Sequence, residues 1–136
     1  MTEKKLHCVY ALVESQKLHP HEEYEEDKIQ EVLKDIVHRK CVCEPVLVDD
    51  SHMVILNGHH RYESLKRLHT RYIPVFLVNY DSEDIKVERW PNAKDHVSKE
   101  EVIRRGISGQ LYPPKTSKHM FSIHIDPVKT KLEILY

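Results

Sequence analysis

Little glycine, little cysteine and no long apolar run mark this 136-residue sequence, and each shortage removes a class of protein. With only three glycines and no G-x-x-x-x-G-K-[ST] stretch, a P-loop is excluded. The three cysteines, Cys8, Cys41 and Cys43, are odd in number, and their C-x-C spacing fits neither a disulfide framework nor the C-x2-C of a zinc knuckle. Reduced, partly buried thiols are expected. No segment approaches the roughly 18 consecutive apolar residues of a membrane span, and MTEKKLHCVY lacks the apolar region of a secretory signal. The expectation is a soluble, cytoplasmic protein without a membrane partner. An excess of one charge is missing too: 21 Lys and Arg face 22 Asp and Glu, a net charge of -1. No global positive field draws the chain to nucleic acid, although local basic clusters are present.

The length predicts one domain over residues 1–136, with no internal repeat and no low-complexity tract. CVYALV, residues 8–13, reads as a strand. Ile29, Val32, Leu33, Ile36 and Val37 recur at i, i+3, i+4, i+7 and i+8, which predicts an amphipathic helix over residues 24–39. EPVLVDDSHMVILNG predicts two short strands around a turn at residues 49–51. A helix from about His60 with Tyr62, Leu65 and Leu68 inward follows, then the strands YIPVFLVNY and DIKVERW. Ser98 and Glu101 form an S-x-x-E capping box that opens the helix KEEVIRR, with Gly106 placed to end it. MFSIHI and KLEILY close the chain as strands joined by the turn DPVKT. The order βαββαββαββ predicts an α+β (mixed α/β) domain, a mixed sheet flanked by helices.

Three stretches place polar groups in patterns that suit chemistry. In LHPHEEYEED, residues 18–27, acidic side chains at a helix start favour the helix dipole, which accounts for Glu23, Glu25, Glu26 and Asp27 as solvated residues. Glu22 stands apart, following Pro20 and His21 in a loop where a carboxylate can face a pocket; the local pattern alone still favours a structural role. In NGHHRY, residues 57–62, open N–H groups at a helix start, Arg61 and the imidazoles of His59 and His60 suit a phosphate, with Gly58 letting it approach the main chain. An exposed turn with locally capping histidines explains the same residues. Adjacent histidines lack the i, i+4 spacing that ligates zinc from a helix. In YPPKTSKHM, Pro113 and Pro114 extend the chain, and Lys115, Thr116, Ser117, Lys118 and His119 offer ammonium, hydroxyl and imidazole donors to a carboxylate or phosphate. A basic surface loop fits nearly as well. Trp90, between a strand and Pro91, fits core or rim packing.

LHPHEE, MVILNGHHRYESLKRL, IPVFLVNY, VERWP and LYPPKTSKHMF together resemble, in register over nearly the whole chain, the free L-serine kinases of archaea, which have the ParB/sulfiredoxin-like fold. The resemblance implies a single-domain kinase that moves a phosphoryl group from a nucleotide, ATP or ADP, with Mg²⁺, to the hydroxyl of free L-serine. The product, O-phospho-L-serine, would serve cysteine synthesis. It implies Glu22 as the base on the serine hydroxyl, Asn57 at a second catalytic position, and Gly58, His59, His60 and Arg61 as the nucleotide phosphate corner. Trp90 would lie beside the amino acid, and Lys115, Thr116, Ser117, Lys118 and His119 would close the site over it. Two departures stand out. Similar kinases carry Asp before G-H-H-R, whereas Asn57 can accept a hydrogen bond or meet Mg²⁺ through its oxygen but cannot act as a base. Ser117 and Lys118 stand where the family has Thr and Arg, so a point charge replaces a planar fork. About twenty residues separate Trp90 from Pro113, so the extra region of some ADP-using relatives is missing, which leaves both ATP and ADP open as the donor.

The alternative is a ParB-like nucleotide- or DNA-binding transcriptional regulator without catalysis. It calls for a basic face and a following helix-turn-helix, whereas this sequence closes on predicted strands and is nearly neutral. A sulfiredoxin-like reductase needs a cysteine where His59 stands, and Cys41 and Cys43 lie elsewhere. Oligomeric state has no signature in the sequence.

Overall fold

In the computed structural model, which describes residues 5–136, the elements follow in the order β1 (Cys8–Glu14), α1 (Glu26–Arg39), β2 (Cys41–Val42), β3 (Val46–Asp49), β4 (Ile55–Asn57), α2 (His59–Arg67), β5 (Tyr72–Val78), β6 (Ile85–Arg89), α3 (Lys99–Ser108), β7 (Ser117–Phe121) and β8 (Thr130–Lys131). β3 is buried along its whole length, as a strand covered on both faces must be, and its first three side chains are accordingly all apolar. Val46 and Val48 join one core with Ile36, Ile55, Tyr62, Leu65, Ile73 and Val75. Leu47 points the other way, into a core with Leu56, Val78, Ile85, Val102 and Tyr112. β5 runs parallel to β3, while β4 pairs with β3 and β1 with β5 in antiparallel fashion, giving the order β1-β5-β3-β4. Helices α1 and α2 cover the first face; α3 and the antiparallel β6–β7 ribbon cover the second. A bidentate bond from Arg67 to Glu26, at 2.6 and 2.8 Å, ties α2 to the start of α1.

The mixed sheet with flanking helices is as predicted, and the differences are local. α1 starts at Glu26 because Glu25 is extended, and Val37 lies on the exposed side of the helix, so the apolar stripe is narrower than its spacing implied. β2 escaped the sequence reading; two residues long, it pairs with β8 through Cys41↔Lys131 and Val42↔Thr130. β7 begins at Ser117 rather than Met120 and ends at Phe121, since its partner β6 spans only Ile85–Arg89. KLEILY is mostly a 3-10 turn, Leu132–Leu135, because it must drop Leu135 into the first core. Cys41 and Cys43 are partly buried with sulfurs 3.8 Å apart, whereas Cys8 is exposed. Among the described residues, no helix is long and apolar enough to cross a membrane.

Gly106 does not end α3. It is buried inside the helix, where a Cβ would sit 2.6 and 2.7 Å from the two Val54 methyls, so the missing side chain lets α3 press onto the strand. Gly109, at φ +77, supplies the left-handed residue that stops the helix. At the other end the Ser98 hydroxyl accepts the Glu101 N–H at 3.1 Å, while the Glu101 carboxylate is engaged by Arg104 and Arg105. In urea unfolding, Gly106→Ala is expected to cost about 1–3 kcal/mol by overpacking, against less than about 0.5 kcal/mol for Ile107→Ala on the exposed side. Equal effects would contradict the close approach of α3.

Candidate active site

Two backbone bridges pin the segment between β1 and α1. The His19 N–H donates to the Met53 carbonyl at 2.9 Å, and the Ile55 N–H to the His19 carbonyl at 2.8 Å. Three residues on, the Tyr112 N–H donates to the His21 carbonyl at 2.9 Å and the Glu23 N–H to the Tyr112 carbonyl at 2.8 Å. The loop is thus held between the start of β4 and the chain leading to β7, with Glu22 against the PPKTS turn. Glu22 Oε1 accepts from the backbone N–H of Thr116 at 3.2 Å, from that of Ser117 at 2.9 Å and from the Ser117 hydroxyl at 2.9 Å. Oε2 accepts from the Lys115 N–H at 3.2 Å. Lys115 has φ +58, in the left-handed region, and the turn aims successive N–H groups at one point, a nest for an anion. Burial pushes the Glu22 carboxyl above the usual range, and these hydrogen bonds pull it back only in part. Behind it, His21 Nε2 lies 2.8 Å from the Ser117 hydroxyl and Nδ1 lies 2.6 Å from the Ile55 carbonyl.

Gly58 caps α2 at φ +96 and brings no side chain to the first-turn N–H groups, which are left for a ligand. A Cβ at Gly58 would lie 3.0 Å from Arg61 Nη2, so glycine also makes room for that guanidinium. Arg61 Nη1 donates to Glu44 Oε2 at 3.1 Å. His59 Nε2 accepts from the His21 N–H, and His60 Nε2 from the Glu25 N–H, each at 3.2 Å. In their neutral forms both rings therefore carry the proton on Nδ1, and they tie the start of α2 to the Glu22 loop. His59 is kept well below the ordinary imidazole range by burial, then by His21 and His119 beside it. His119 Nε2 lies 2.8 Å from the Tyr80 hydroxyl, and burial lowers its pKa to about 3.

Every site residue predicted from the sequence except Thr116 lines one cleft of about 800 Å³, a size suited to a small ligand. Thr116 is buried, and its hydroxyl donates to the Pro113 carbonyl at 2.7 Å, shaping the turn instead. Lys118 Nζ sits 4.8 Å from the centroid of the half-exposed Trp90 ring, and the Trp90 N–H donates to the Thr116 carbonyl at 3.0 Å. Asn57 is exposed at the end of β4, on the cleft rim. Sequence reading missed His21, Glu25 and Glu44. His21 had a signal in its place beside Glu22; Glu44 had none, because its pairing with Arg61 arises only when β3 and α2 are side by side. Among the described residues, no group of three or more His, Cys, Asp or Glu is placed to hold a metal ion.

A mixed sheet carrying G-H-H-R at the start of a helix is an arrangement of the ParB-like class. The chain belongs to the ParB N-terminal domain family, whose model matches residues 5–92. It is similar to the ATP-dependent L-serine kinase of Desulfurococcus mucosus, 33% identical over 104 residues that make up 71% of this chain and 40% of that protein. It is also similar to a ParB-like protein of Sulfolobus acidocaldarius, 35% identical over 78 residues, 57% of this chain and 39% of that one. The chain thus spans about two fifths of the length of these curated relatives. A solved structure, a free serine kinase in complex with AMP, shares the fold with a TM-score of 0.84 at 18% identity, over 98% of this chain and 95% of that one.

Buried neutral histidines make stability depend on pH. His21 is lowered to about 4, His119 to about 3, and His59 is lowered as well, each chiefly by burial. In the unfolded chain the same rings take protons near about 6.5. The unfolded state therefore binds more protons below that value, and stability falls as pH drops from about 6.5 toward 4. Glu22, raised by burial, offsets part of this loss by taking its proton earlier than in the unfolded chain. Urea unfolding at about pH 7 and about pH 5 is expected to show the protein less stable at the lower value, with the His21 and His119 ring signals not titrating between them. A stability that rises on acidification would contradict the buried neutral rings.

Proposed function

We propose that the cleft transfers a phosphoryl group from ATP to the hydroxyl of free L-serine, giving O-phospho-L-serine for cysteine synthesis, as an archaeal-type kinase. The observation that carries this reading is that the Glu22 carboxylate, the uncapped start of α2, Trp90 and Lys118 open on one cleft. Phosphoryl transfer asks mainly for positioning and charge stabilisation, with one group to orient or deprotonate the alcohol. Glu22 Oε1 is crowded by three donors, whereas Oε2 has one and keeps acceptor capacity for a substrate hydroxyl. As Oε2 takes the proton, the serine oxygen bonds to the terminal phosphorus, and the bond from that phosphorus to the nucleotide breaks, releasing ADP.

The first-turn N–H groups of α2 and Arg61 would receive the phosphates. Arg61 is held by a rim ion pair with an exposed glutamate, the kind of partner a phosphate displaces. Lys118 and Trp90 would take the carboxylate and the small backbone of the amino acid. Mg²⁺ fits as an ion that comes with the nucleotide, since phosphates and water supply its oxygen ligands and the Asn57 oxygen is on the rim to meet it; bound there, it would neutralise phosphate charge. The name of the Desulfurococcus relative, an ATP-dependent L-serine kinase, and the short stretch between Trp90 and Pro113 support ATP over ADP. In this reading residues 1–136 act as one unit in the cytoplasm, without membrane or nucleic acid.

Incubation with Mg²⁺, L-serine and ATP is expected to yield phosphoserine by mass spectrometry, with less or none from ADP. Glu22→Gln is expected to cut turnover by about 10²–10⁴-fold, the usual contribution of a base, with nucleotide affinity largely kept. No product from either donor, together with measurable DNA binding, would overturn the kinase in favour of a ParB-like regulator. Near-normal turnover in Glu22→Gln would remove Glu22 as the base.

A further inference from the structure

Ser117 has one hydroxyl proton and two acceptors within reach. Its oxygen lies 2.9 Å from Glu22 Oε1 and 2.8 Å from His21 Nε2. His21 Nδ1 lies 2.6 Å from the Ile55 carbonyl oxygen, which can only accept, so Nδ1 carries the ring proton. A neutral His21 then presents Nε2 as a bare acceptor, and an ionised Glu22 presents nothing but acceptors. One hydroxyl cannot satisfy both. The ring has no route to a second proton from its other neighbours: those facing it are His59, His119 and Tyr112, with centroids at 4.6, 5.8 and 6.1 Å, and none is an anion near neutral pH. Lys118 and Lys115 line the same cleft as Glu22, the Lys115 ammonium 3.8 Å from Glu25.

Resting on the kinase reading above, we propose that the Ser117 hydroxyl is a two-position switch that turns from Glu22 to His21 when Glu22 takes the substrate proton. With Glu22 ionised, the hydroxyl donates to Oε1, the charged and stronger acceptor, and His21 Nε2 goes without a donor. When Oε2 takes a proton, the substrate O–H bond breaks and an O–H bond to Oε2 forms. Oε1 is now the carbonyl oxygen of a neutral acid, a weaker acceptor still served by the Thr116 and Ser117 N–H groups. The hydroxyl rotates about the Cβ–Oγ bond toward Nε2 and keeps its own proton. The buried ring nitrogen of His21 is therefore satisfied only in the state where Glu22 is protonated, and an unpaired buried acceptor is costly. The bond to His21 offsets part of the charge-assisted bond lost at Oε1, so proton uptake by Glu22 costs less than it would if the hydroxyl served the carboxylate alone, while the 115–117 turn stays in place. Ser117 and His21 are positioning residues in this scheme: they act on the reaction through Glu22.

The test follows the imidazole nitrogens of His21 and the carboxyl carbon of Glu22 by ¹⁵N and ¹³C NMR, on the full chain without substrates, as the pH is lowered from neutral through the Glu22 transition. The His21 Nε2 signal is expected to move toward its hydrogen-bonded position with the same midpoint as the Glu22 carboxyl, while the Nδ1 proton stays. Ser117→Ala is expected to abolish that step and Ser117→Thr, which keeps the hydroxyl, to retain it. In the same variants the acidic limb of the kcat profile should move to higher pH in Ser117→Ala and return in Ser117→Thr, with KM for the nucleotide within about twofold. An Nε2 signal indifferent to Glu22 in the wild type, or a step that survives Ser117→Ala, overturns the switch. Absence of phosphoserine from the wild type would end the kinase reading and leave the NMR coupling standing, so the two fail separately.

Discussion

The cleft depends on one carboxylate. Glu22 gathers the N–H groups of residues 115 to 117 from more than ninety positions along the chain, joining the β1–α1 loop to the turn before β7. A buried carboxylate is costly unless its oxygens are matched by donors, and here four donors converge on it. The clasp places Ser117 as the first residue of β7, and the β6–β7 pairing then carries Lys118 opposite Glu88 and His119 opposite Val87. Trp90, tied to the Thr116 carbonyl, is brought along at the end of β6. Removing the carboxylate would leave three backbone N–H groups facing one another.

Charge around the cleft is arranged in layers. Inside, His21, His59 and His119 are held neutral by burial, so beside the Glu22 carboxylate these rings offer hydrogen bonds without charge. On the rim, Arg61 and Lys115 pair with Glu44 and Glu25, and Lys118 lies over the Trp90 ring. Exposed pairs of this kind contribute about 0–1 kcal/mol each, so an anionic ligand can replace them at little cost. Arg61, Lys115 and Lys118 thereby bring cations to a cleft that also carries carboxylates, Glu22 among them.

Much of this was legible in the sequence because it rests on local pattern. The 3.6-residue spacing in α1, the apolar runs of β3 and β5, and the Ser98 cap each act within a few residues, and all three are where the sequence placed them. What was not legible depends on partners distant in the chain. β2 and β8 exist only because residues 41 and 131 meet, and Leu135 leaves strand geometry to fill a core made by other elements. Gly106 resembles a helix stop until Val54 is seen against it. The site shows the same division. NGHHRY and PPKTSKH could be read as anion-binding stretches from their side chains, and Glu22 singled out from its neighbours. That His59 and His60 would act as acceptors for backbone N–H groups, and that Thr116 would turn away from the cleft, required the chain to be folded.

Hydrogen exchange of the Lys115, Thr116 and Ser117 amides, in the wild type and in Glu22→Ala, tests most directly whether one carboxylate assembles the cleft. The account predicts that these three amides exchange about tenfold faster or more in the variant, while the amides of β3 and β5 keep their protection. Unchanged protection at all three amides would contradict it.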